Sequence, residues 1–239
     1  MELLREGCEQ IGIELTEKMC KQFKDYKEIM LEWNKKVNLT AITDEKEIVT
    51  KHFIDSLTLL TTDEFQAANL KIIDVGTGAG FPAIPLRIVK EDIKQLTLLD
   101  SLNKRIVFLQ ELVDKLELSN VESIHSRAED LGRSENYREQ YDICISRAVA
   151  NMAVLAEYCL PFVKVGGKFI SLKGNSIKEE ISAANKAISI LGGEVSSIKT
   201  VKIPFSDIEH TLVIISKLNE SPSIYPRKSG KAIKNPILR

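Results

Sequence analysis

The first sixty residues carry hydrophobic positions at helical spacing. Between residues 16 and 33 the apolar residues recur at gaps of three and four, which places them on one face of a helix. Asp44, followed by Glu47, has the spacing of a capping box and predicts that a second helix begins there and runs through Leu60. We expect residues 1–62 to form an N-terminal helical extension packed on the core.

From residue 70 onward, short apolar runs alternate with helical segments. Such alternation indicates a parallel sheet covered by helices on both faces. The loop at residues 204–209 is too short for a parallel crossover, so the last two strands should pair antiparallel. The pattern predicts strands at residues 70–75, 95–100, 121–125, 141–146, 167–172, 195–203 and 210–217, and helices at 103–116, 152–163 and from a cap at Ser176 to Gly192.

The expected fold is an α/β domain over residues 63–218, built on a Rossmann-like sheet of seven strands whose last strand is antiparallel. This pattern resembles that of class I S-adenosylmethionine-dependent methyltransferases. The alternation alone leaves the strand order open. Residues 219–239 remain as a basic C-terminal tail.

Composition excludes several classes of protein. Of the 239 residues, 44% are hydrophobic and 28% are charged, so a domain-sized core is available and a disordered chain is excluded. The net charge of −1 excludes a polycation that coats nucleic acid but permits a local basic patch. The four cysteines have neither zinc-site nor disulfide spacing, which indicates a reducing compartment. With no signal peptide and no apolar run near the roughly 18 residues of a membrane span, we expect a cytoplasmic monomer that binds no membrane.

A glycine-rich loop follows the first predicted strand. Its glycines, Gly76, Gly78 and Gly80, allow a tight turn and let a ligand approach the backbone. A dinucleotide site would have glycine where Phe81 stands, and Asp74 at the strand end suits a diphosphate poorly. The same acid favours the sulfonium and ammonium groups of S-adenosylmethionine. We therefore prefer S-adenosylmethionine as the cofactor, with an NAD-dependent oxidoreductase as the alternative.

Two further strand ends carry acids that have more than one interpretation. Asp100 can accept the ribose hydroxyls of either cofactor, or it can cap the helix that follows. In class I methyltransferases an acid or amide after the third strand lies near the adenine amino group, which suits Glu129. An acid in the first turn of an ordinary helix explains Glu129 equally well.

The loop after the fourth strand reads Ser146-Arg147-Ala148-Val149. It has neither the Pro-Pro-aromatic sequence of amino-methylating DNA enzymes nor the cysteine nucleophile of cytosine C5 enzymes. We find no His, Asp or Glu at this reactive end, so no side-chain general base is expected. Such a site favours an acceptor whose lone pair is free at neutral pH, and guanine N7 is one candidate among several.

Motifs spread over nearly the whole chain match one family. They lie at residues 33–40 (WNKKVNLT), 52–57 (HFIDSL), 74–82 (DVGTGAGFP), 100–105 (DSLNKR), 127–129 (RAE), 146–149 (SRAV), 172–174 (LKG) and 225–228 (YPRK). In these motifs the chain resembles the bacterial 16S ribosomal RNA guanine-N7 methyltransferases, also called glucose-inhibited division protein B. The resemblance implies transfer of a methyl group from S-adenosylmethionine to N7 of a guanine in 16S ribosomal RNA.

The resemblance also implies particular site residues. Arg147 either orders the cofactor pocket, receives the guanine or simply pairs with a nearby acid. No metal is expected. A non-catalytic RNA- or ribosome-binding protein with a methyltransferase fold is a second alternative, against which the intact glycine loop argues. The cofactor contacts expected from the motifs and the resemblance together are Asp74, Gly76, Gly78, Gly80, Phe81, Asp100, Ala128, Glu129 and Arg147.

The implied partner is 16S ribosomal RNA or the small ribosomal subunit. Six basic residues and one acid lie between residues 217 and 239, where Tyr225 offers a stacking surface. A solvated tail is the simpler explanation, but the prolines of this segment stiffen it for docking. Further cations lie at or near the carboxyl-end loops. We predict RNA contacts at Lys104, Arg105, Lys173, Tyr225, Arg227 and Lys228.

Overall fold

One seven-stranded sheet forms the centre of the molecule, in the order β3-β2-β1-β4-β5-β7-β6. The computed structural model describes residues 1–148, 150–174 and 177–238, so Val149, the predicted cap at Ser176 and Arg239 lie outside the described residues. The strands are β1 (Lys71–Val75), β2 (Gln95–Asp100), β3 (Val121–His125), β4 (Tyr141–Ser146), β5 (Val163–Lys173), β6 (Gly193–Lys202) and β7 (Glu209–Lys217). Because β7 runs antiparallel to both β5 and β6 while the other pairs are parallel, the predicted sheet is confirmed.

Helices cover both faces of the sheet. The longer ones agree with the predicted positions, and short π and 3₁₀ segments join several of them. In chain order they are α1 (Glu2–Gln10), α2 (Glu17–Val37), α3 (Glu45–Ile48), α4 (Asp55–Leu57), α5 (Ala83–Val89), α6 (Asn103–Lys115), α7 (Ala128–Leu131), α8 (Met152–Cys159), α9 (Lys178–Ile190) and α10 (Lys231–Lys234).

The alternation of side chains along each strand divides the core into two layers. Ile72 faces the layer that contains α1, α2, α5 and α6. Its neighbour Ile73 faces the layer of α7, α8 and α9. The N-terminal helices therefore share one hydrophobic core with a face of the sheet. All four cysteines are buried and free, two in each layer.

The N-terminal helices begin where the sequence predicts. The hydroxyl of Thr16 accepts a hydrogen bond from the Met19 amide at 3.2 Å, and Asp44 caps the next helix through the Glu47 amide at 2.9 Å. That second helix is not uniform, because a π segment, Val49–Ile54, interrupts it before α4. Such π segments are frequent at functional sites.

The carboxyl ends of the parallel strands meet at one edge of the sheet. The connections from β1 and β4 leave in opposite directions, since β1 lies between β2 and β4. Ligands of open α/β sheets bind at such a switch point. Within the described ranges, no helix combines the length and apolar composition needed to cross a bilayer. The same part of the chain holds no group of three or more His, Cys, Asp or Glu side chains placed to bind a metal ion.

Candidate active site

A cavity of about 530 Å³ opens at this switch point. Its walls come from the glycine loop, the ends of β2 and β3, the loop after β4 and both terminal segments of the chain. Of the predicted cofactor residues, those that line it are Gly76, Gly78, Phe81, Asp100, Ala128, Glu129 and Arg147. The N-terminal segment contributes Leu39, Thr40 and His52, and the C-terminal segment contributes Ile233.

The glycine loop exposes its backbone to the cavity. Gly76 has φ +75°, and a Cβ there would lie 3.2 Å from Cβ of Ala148, so only glycine fits without strain. The Gly76 amide donates to the Leu99 carbonyl at 2.9 Å, and the Gly78 amide donates to Asp100 Oδ2 at 3.0 Å. These bonds fix the loop against the end of β2.

Two predicted cofactor residues, Asp74 and Gly80, lie behind the cavity wall. A Cβ on Gly80 would come within 2.9 Å of the Tyr26 hydroxyl, so packing against α2 explains this glycine. Asp74 is fully buried and accepts a hydrogen bond from the Thr77 hydroxyl at 2.8 Å. Burial raises the pKa of Asp74 to about 7. Both residues support the loop from beneath.

Asp100 already has several partners at the end of β2. Its Oδ1 accepts from the Leu102 amide at 2.9 Å, and its Oδ2 is 3.2 Å from Arg105 Nη1 as well as bonded to Gly78. Asp100 therefore holds the turn before α6 and does not cap the first turn of that helix, whose N-cap residue is Leu102. Arg105, for which we predict an RNA contact, lines this cavity beside Asp100.

Glu129 ties the cavity to the C-terminal segment. Its carboxylate is buried and accepts a hydrogen bond from the Gly230 amide at 2.9 Å. The short helix α10 follows Gly230 and brings Ile233 to the cavity, although that side chain is otherwise exposed. Residues 219–238, here called the C-terminal strap, therefore form part of the cavity wall.

Phe81 anchors an aromatic stack on the opposite side. Its ring stacks on Tyr26 at 5.2 Å and on His52 at 4.5 Å between centroids. The Arg147 guanidinium carbon lies 5.1 Å from the Phe81 centroid. The residue that separates this loop from a dinucleotide motif thus joins the loop to the N-terminal layer.

Arg147 is held by the π segment and the start of α4. Its Nη1 donates to Asp55 Oδ2 at 2.8 Å and to the Lys51 carbonyl at 3.2 Å, and Nη2 lies 3.3 Å from His52 Nδ1. Burial, together with the Arg147 charge, lowers the pKa of His52 to about 4. A neutral His52 can accept from Arg147 and donate through Nε2 to the Thr40 hydroxyl, 2.9 Å away.

Sequence reasoning assigned no role to Thr40, His52 or Asp55. Their motifs contributed to the family resemblance, but the hydrophobic pattern of this region predicts a packing layer. The available signal was a polar His and Asp within helical segments that otherwise pack by apolar faces, and a Thr in the connection after α2. The structure brings all three side chains to the network around Arg147.

A second cavity, of about 740 Å³, adjoins the first and shares Arg147, Ala148 and Ala150 with it. The loop after β4 has no His, Asp or Glu that could act as a general base, but the fold brings such residues to this end of the sheet from elsewhere. Four such residues, brought by distant segments of the chain, line the second cavity: Asp55, Glu180, Glu209 and His210. Three of them are already engaged, since Asp55 holds Arg147 and contacts His210, and Glu180 pairs with Lys173 at 2.8 Å.

Comparison with known proteins decides the family. A family model described as rRNA small subunit methyltransferase G matches residues 19–211. The chain belongs to the rRNA small subunit methyltransferase G family. Relatives with that name include one from Clostridium perfringens (strain SM101 / Type A), 51% identical over 99% of this chain and 98% of the relative. Another, from Alkaliphilus oremlandii (strain OhILAs), is 52% identical with the same coverage.

Solved structures place this family member in a wider fold class. A mutant of MtNAS aligns with a TM-score of 0.56 and 13% identity, over 84% of this chain and 76% of that one. The S-adenosylmethionine-dependent methyltransferase SibL, in its apo form, aligns with a TM-score of 0.52 and 12% identity, over 70% and 55% of the two chains. At these identities the likeness concerns the fold alone, and it agrees with the predicted class I architecture.

The predicted RNA contacts of this family member are in part engaged within the protein. Arg227 forms a forked pair with buried Glu157, from Nε to Oε1 at 2.9 Å and from Nη2 to Oε2 at 2.6 Å. Lys173 pairs with Glu180, and Tyr225 packs against the core. Of the six, Lys104 and Lys228 are exposed cations.

The C-terminal strap is therefore docked and is not a solvated tail. Arg138 donates to the carbonyls of Ser221 and Tyr225 at 2.6 and 2.8 Å. Lys217, counted among the basic residues of the tail, is buried and pairs with Glu139 at 3.2 Å. Burial lowers the pKa of Lys217 to about 8. Acidic partners that are distant in sequence thus neutralise two of the expected free cations, Lys217 and Arg227.

Proposed function

We propose that this chain transfers the methyl group of S-adenosylmethionine to N7 of a guanine in 16S ribosomal RNA. Membership of the family supports the reaction class and the small-subunit rRNA substrate. The observation that carries the proposal is the position of Arg147, which lines both adjoining cavities. One cavity would hold the cofactor and the other the acceptor base.

The first cavity fits the proposed cofactor. Its volume lies in the range of small-molecule sites, and the glycine loop offers a backbone surface that a side chain would fill. Asp100 retains carboxylate lone pairs for ribose hydroxyls, and Glu129 with Ala128 would lie beside the adenine. Asp74 and Gly80 would act only by shaping the loop.

The cofactor supplies an electrophilic methyl group, and the protein supplies alignment. Guanine N7 carries a free lone pair at neutral pH, so no side chain has to remove a proton. Holding both reactants in line can contribute about 7–11 kcal/mol of barrier reduction. The titratable groups of the second cavity would accordingly position the base and take no part in proton transfer.

The second cavity would receive an unpaired guanine. N7 lies on the major-groove edge, which side chains cannot reach in the deep, narrow groove of A-form RNA. The base should therefore come from a loop or be flipped out of its helix. Exposed Lys104, Lys228, Lys231 and Lys234 are candidates for phosphate contacts.

We further propose that the protein acts as a cytoplasmic monomer. The lining of both cavities by residues of one chain supports this proposal. Four free buried cysteines suit a reducing compartment.

Incubation with small subunits from cells that lack the gene would test the function. With labelled S-adenosylmethionine, we expect one N7-methylguanine in 16S RNA, mapped by chemical cleavage at the modified base. Calorimetry should detect binding of S-adenosylmethionine and not of NAD. Gly76→Asp should abolish that binding with the fold retained, because it adds a strained, charged side chain to the cavity.

Binding without methyl transfer would favour a non-catalytic RNA-binding protein. Binding of NAD alone would favour an oxidoreductase. Either result would overturn the proposed function.

A further inference from the structure

Asp55 uses both carboxylate oxygens at the boundary of the two cavities. Oδ2 accepts from Arg147 Nη1 at 2.8 Å, and Oδ1 contacts His210 Nδ1. His210 comes from the second position of β7, and its Nε2 lies 3.3 Å from the Thr58 hydroxyl. Three segments that are far apart in the sequence therefore converge on one carboxylate.

The pair is shielded from water but lines a cavity. The side chains of Asp55 and His210 are 9% and 8% exposed. Burial raises the pKa of Asp55, but His210 and Arg147 together lower it below its ordinary value, so the carboxylate stays charged. A carboxylate with both oxygens occupied cannot turn, and it fixes the guanidinium that it holds.

Arg147 keeps donors that the protein does not use. Nη1 donates its two hydrogens to Asp55 and to the Lys51 carbonyl, and Nη2 donates one hydrogen to His52. Among the described residues, Nε and the second hydrogen of Nη2 have no partner. The orientation set by Asp55 therefore decides where these donors point.

We propose that Asp55 and His210 are positioning residues that hold Arg147 in the orientation required for methyl transfer. This inference rests on the proposed function and deepens it. Neither side chain reacts. Asp55 acts through Arg147, and His210 acts through Asp55, so that the free donors of Arg147 meet the acceptor base beside the cofactor.

Single-turnover methylation of small-subunit RNA tests the inference. Asp55→Asn should lower the rate on the order of 10- to 100-fold, because a small misplacement of a positioning group has effects of that size. The dissociation constant of S-adenosylmethionine should change less than about threefold, since Phe81 and His52 still contact the guanidinium. Asp63→Asn, at an exposed acid that directly follows the N-terminal segment, is the control and should leave the rate unchanged.

A double-mutant cycle separates positioning from a general structural role. If Asp55 acts through Arg147, Asp55→Asn should add no further loss to Arg147→Met. His210→Asn keeps a nitrogen near the place of Nδ1 and should retain most of the rate, whereas His210→Leu should not. The inference would be overturned if the rate losses of Asp55→Asn and Arg147→Met multiplied in the double variant, or if the two His210 variants had equal rates.

A second measurement does not depend on the reaction. Nuclear magnetic resonance of the Arg147 guanidinium should show slow hydrogen exchange in the parent and in Asp63→Asn, and fast exchange in Asp55→Asn. Unchanged exchange would refute the positioning role even if the parent methylates RNA. A parent that transfers no methyl group but shows this exchange pattern would instead refute only the proposed function.

Discussion

The two ends of the chain wall the same cavity but are held in different ways. The N-terminal segment reaches it from within a hydrophobic core, in which Phe23 and Phe53 are fully buried. The C-terminal strap reaches it through a few polar anchors, chiefly Arg227 on Glu157 and Gly230 on Glu129. Local stability follows buried apolar contact, so the strap should open at lower cost than the N-terminal layer.

The largest expected effect comes from the N-terminal side. Phe53→Ala removes a ring that contacts Phe23, Tyr26 and Phe81, and should lower the free energy of unfolding by about 3–5 kcal/mol. Thermal denaturation followed by circular dichroism should show a fall in Tm of about 10 °C. Phe53→Leu is the control and should cost much less. If Phe53→Ala lost cofactor binding without a change in Tm, the N-terminal layer would contribute no more to the stability of the core than the strap does.

The next effect depends on pH. The pKa of His52 is lowered to about 4, so between about pH 6.5 and pH 4 the unfolded chain binds a proton that the folded protein does not. The free energy of unfolding should therefore fall as the pH falls through this window, by up to about 3 kcal/mol. His52→Gln can keep the contacts to Arg147 and Thr40 without titrating. Denaturant titrations at several pH values should show that the free energy of unfolding of this variant falls less steeply with falling pH than that of the parent. If it falls equally steeply in both, His52 is not the group responsible.

A smaller effect is expected at the strap. Arg227→Met should detach the strap and weaken S-adenosylmethionine binding about tenfold, or about 1.4 kcal/mol, because Gly230 and Ile233 leave the cavity wall. Limited proteolysis should cut within the strap while the core keeps its thermal transition. Lys228→Met removes a neighbouring exposed cation and is the control. If Arg227→Met and Lys228→Met bound S-adenosylmethionine with equal affinity, Arg227 would not be needed to close the cavity, and the predicted RNA contact would remain its only proposed role.

The smallest effect concerns RNA. Lys228→Ala combined with Lys231→Ala removes two exposed cations of the strap, and should reduce the salt slope of RNA binding by up to about 1.4. Lys94→Ala combined with Lys115→Ala is the matched control, since both residues lie at the opposite edge of the sheet. Filter binding over a salt series measures the slopes. If the two double variants had the same salt slope, the strap would not be part of the surface that binds RNA.

Most of the fold could be predicted because it depends on local patterns. Strands β2, β3 and β4 have the predicted bounds. Strands β2 and β4 are short, largely apolar and buried runs, whereas β3 alternates apolar and polar residues. The glycine loop and the cap at Asp44 are also local signals. Strand order could not be predicted, because the pairing of β7 between β5 and β6 depends on contacts across the whole sheet.

The site was less accessible to sequence reasoning because charge partners lie far apart along the chain. Arg227 reads as a free cation until Glu157, seventy residues earlier, is placed against it. Asp55 meets Arg147 across 92 residues, and nothing local to either residue indicates the pair. A sequence gives the number of charges, but only the fold shows which of them are available to RNA.

Because the strap follows the core in the chain, the cavity is completed only late in protein synthesis. The sheet, the glycine loop and Arg147 all precede residue 218, whereas Gly230 and Ile233 come later in the chain and are synthesised after them. A nascent chain can therefore assemble its core before the cavity is enclosed. A chain that stops after residue 218 should fold but bind S-adenosylmethionine more weakly, because one wall of the cavity is missing. Equilibrium dialysis of the shortened chain with S-adenosylmethionine measures this loss.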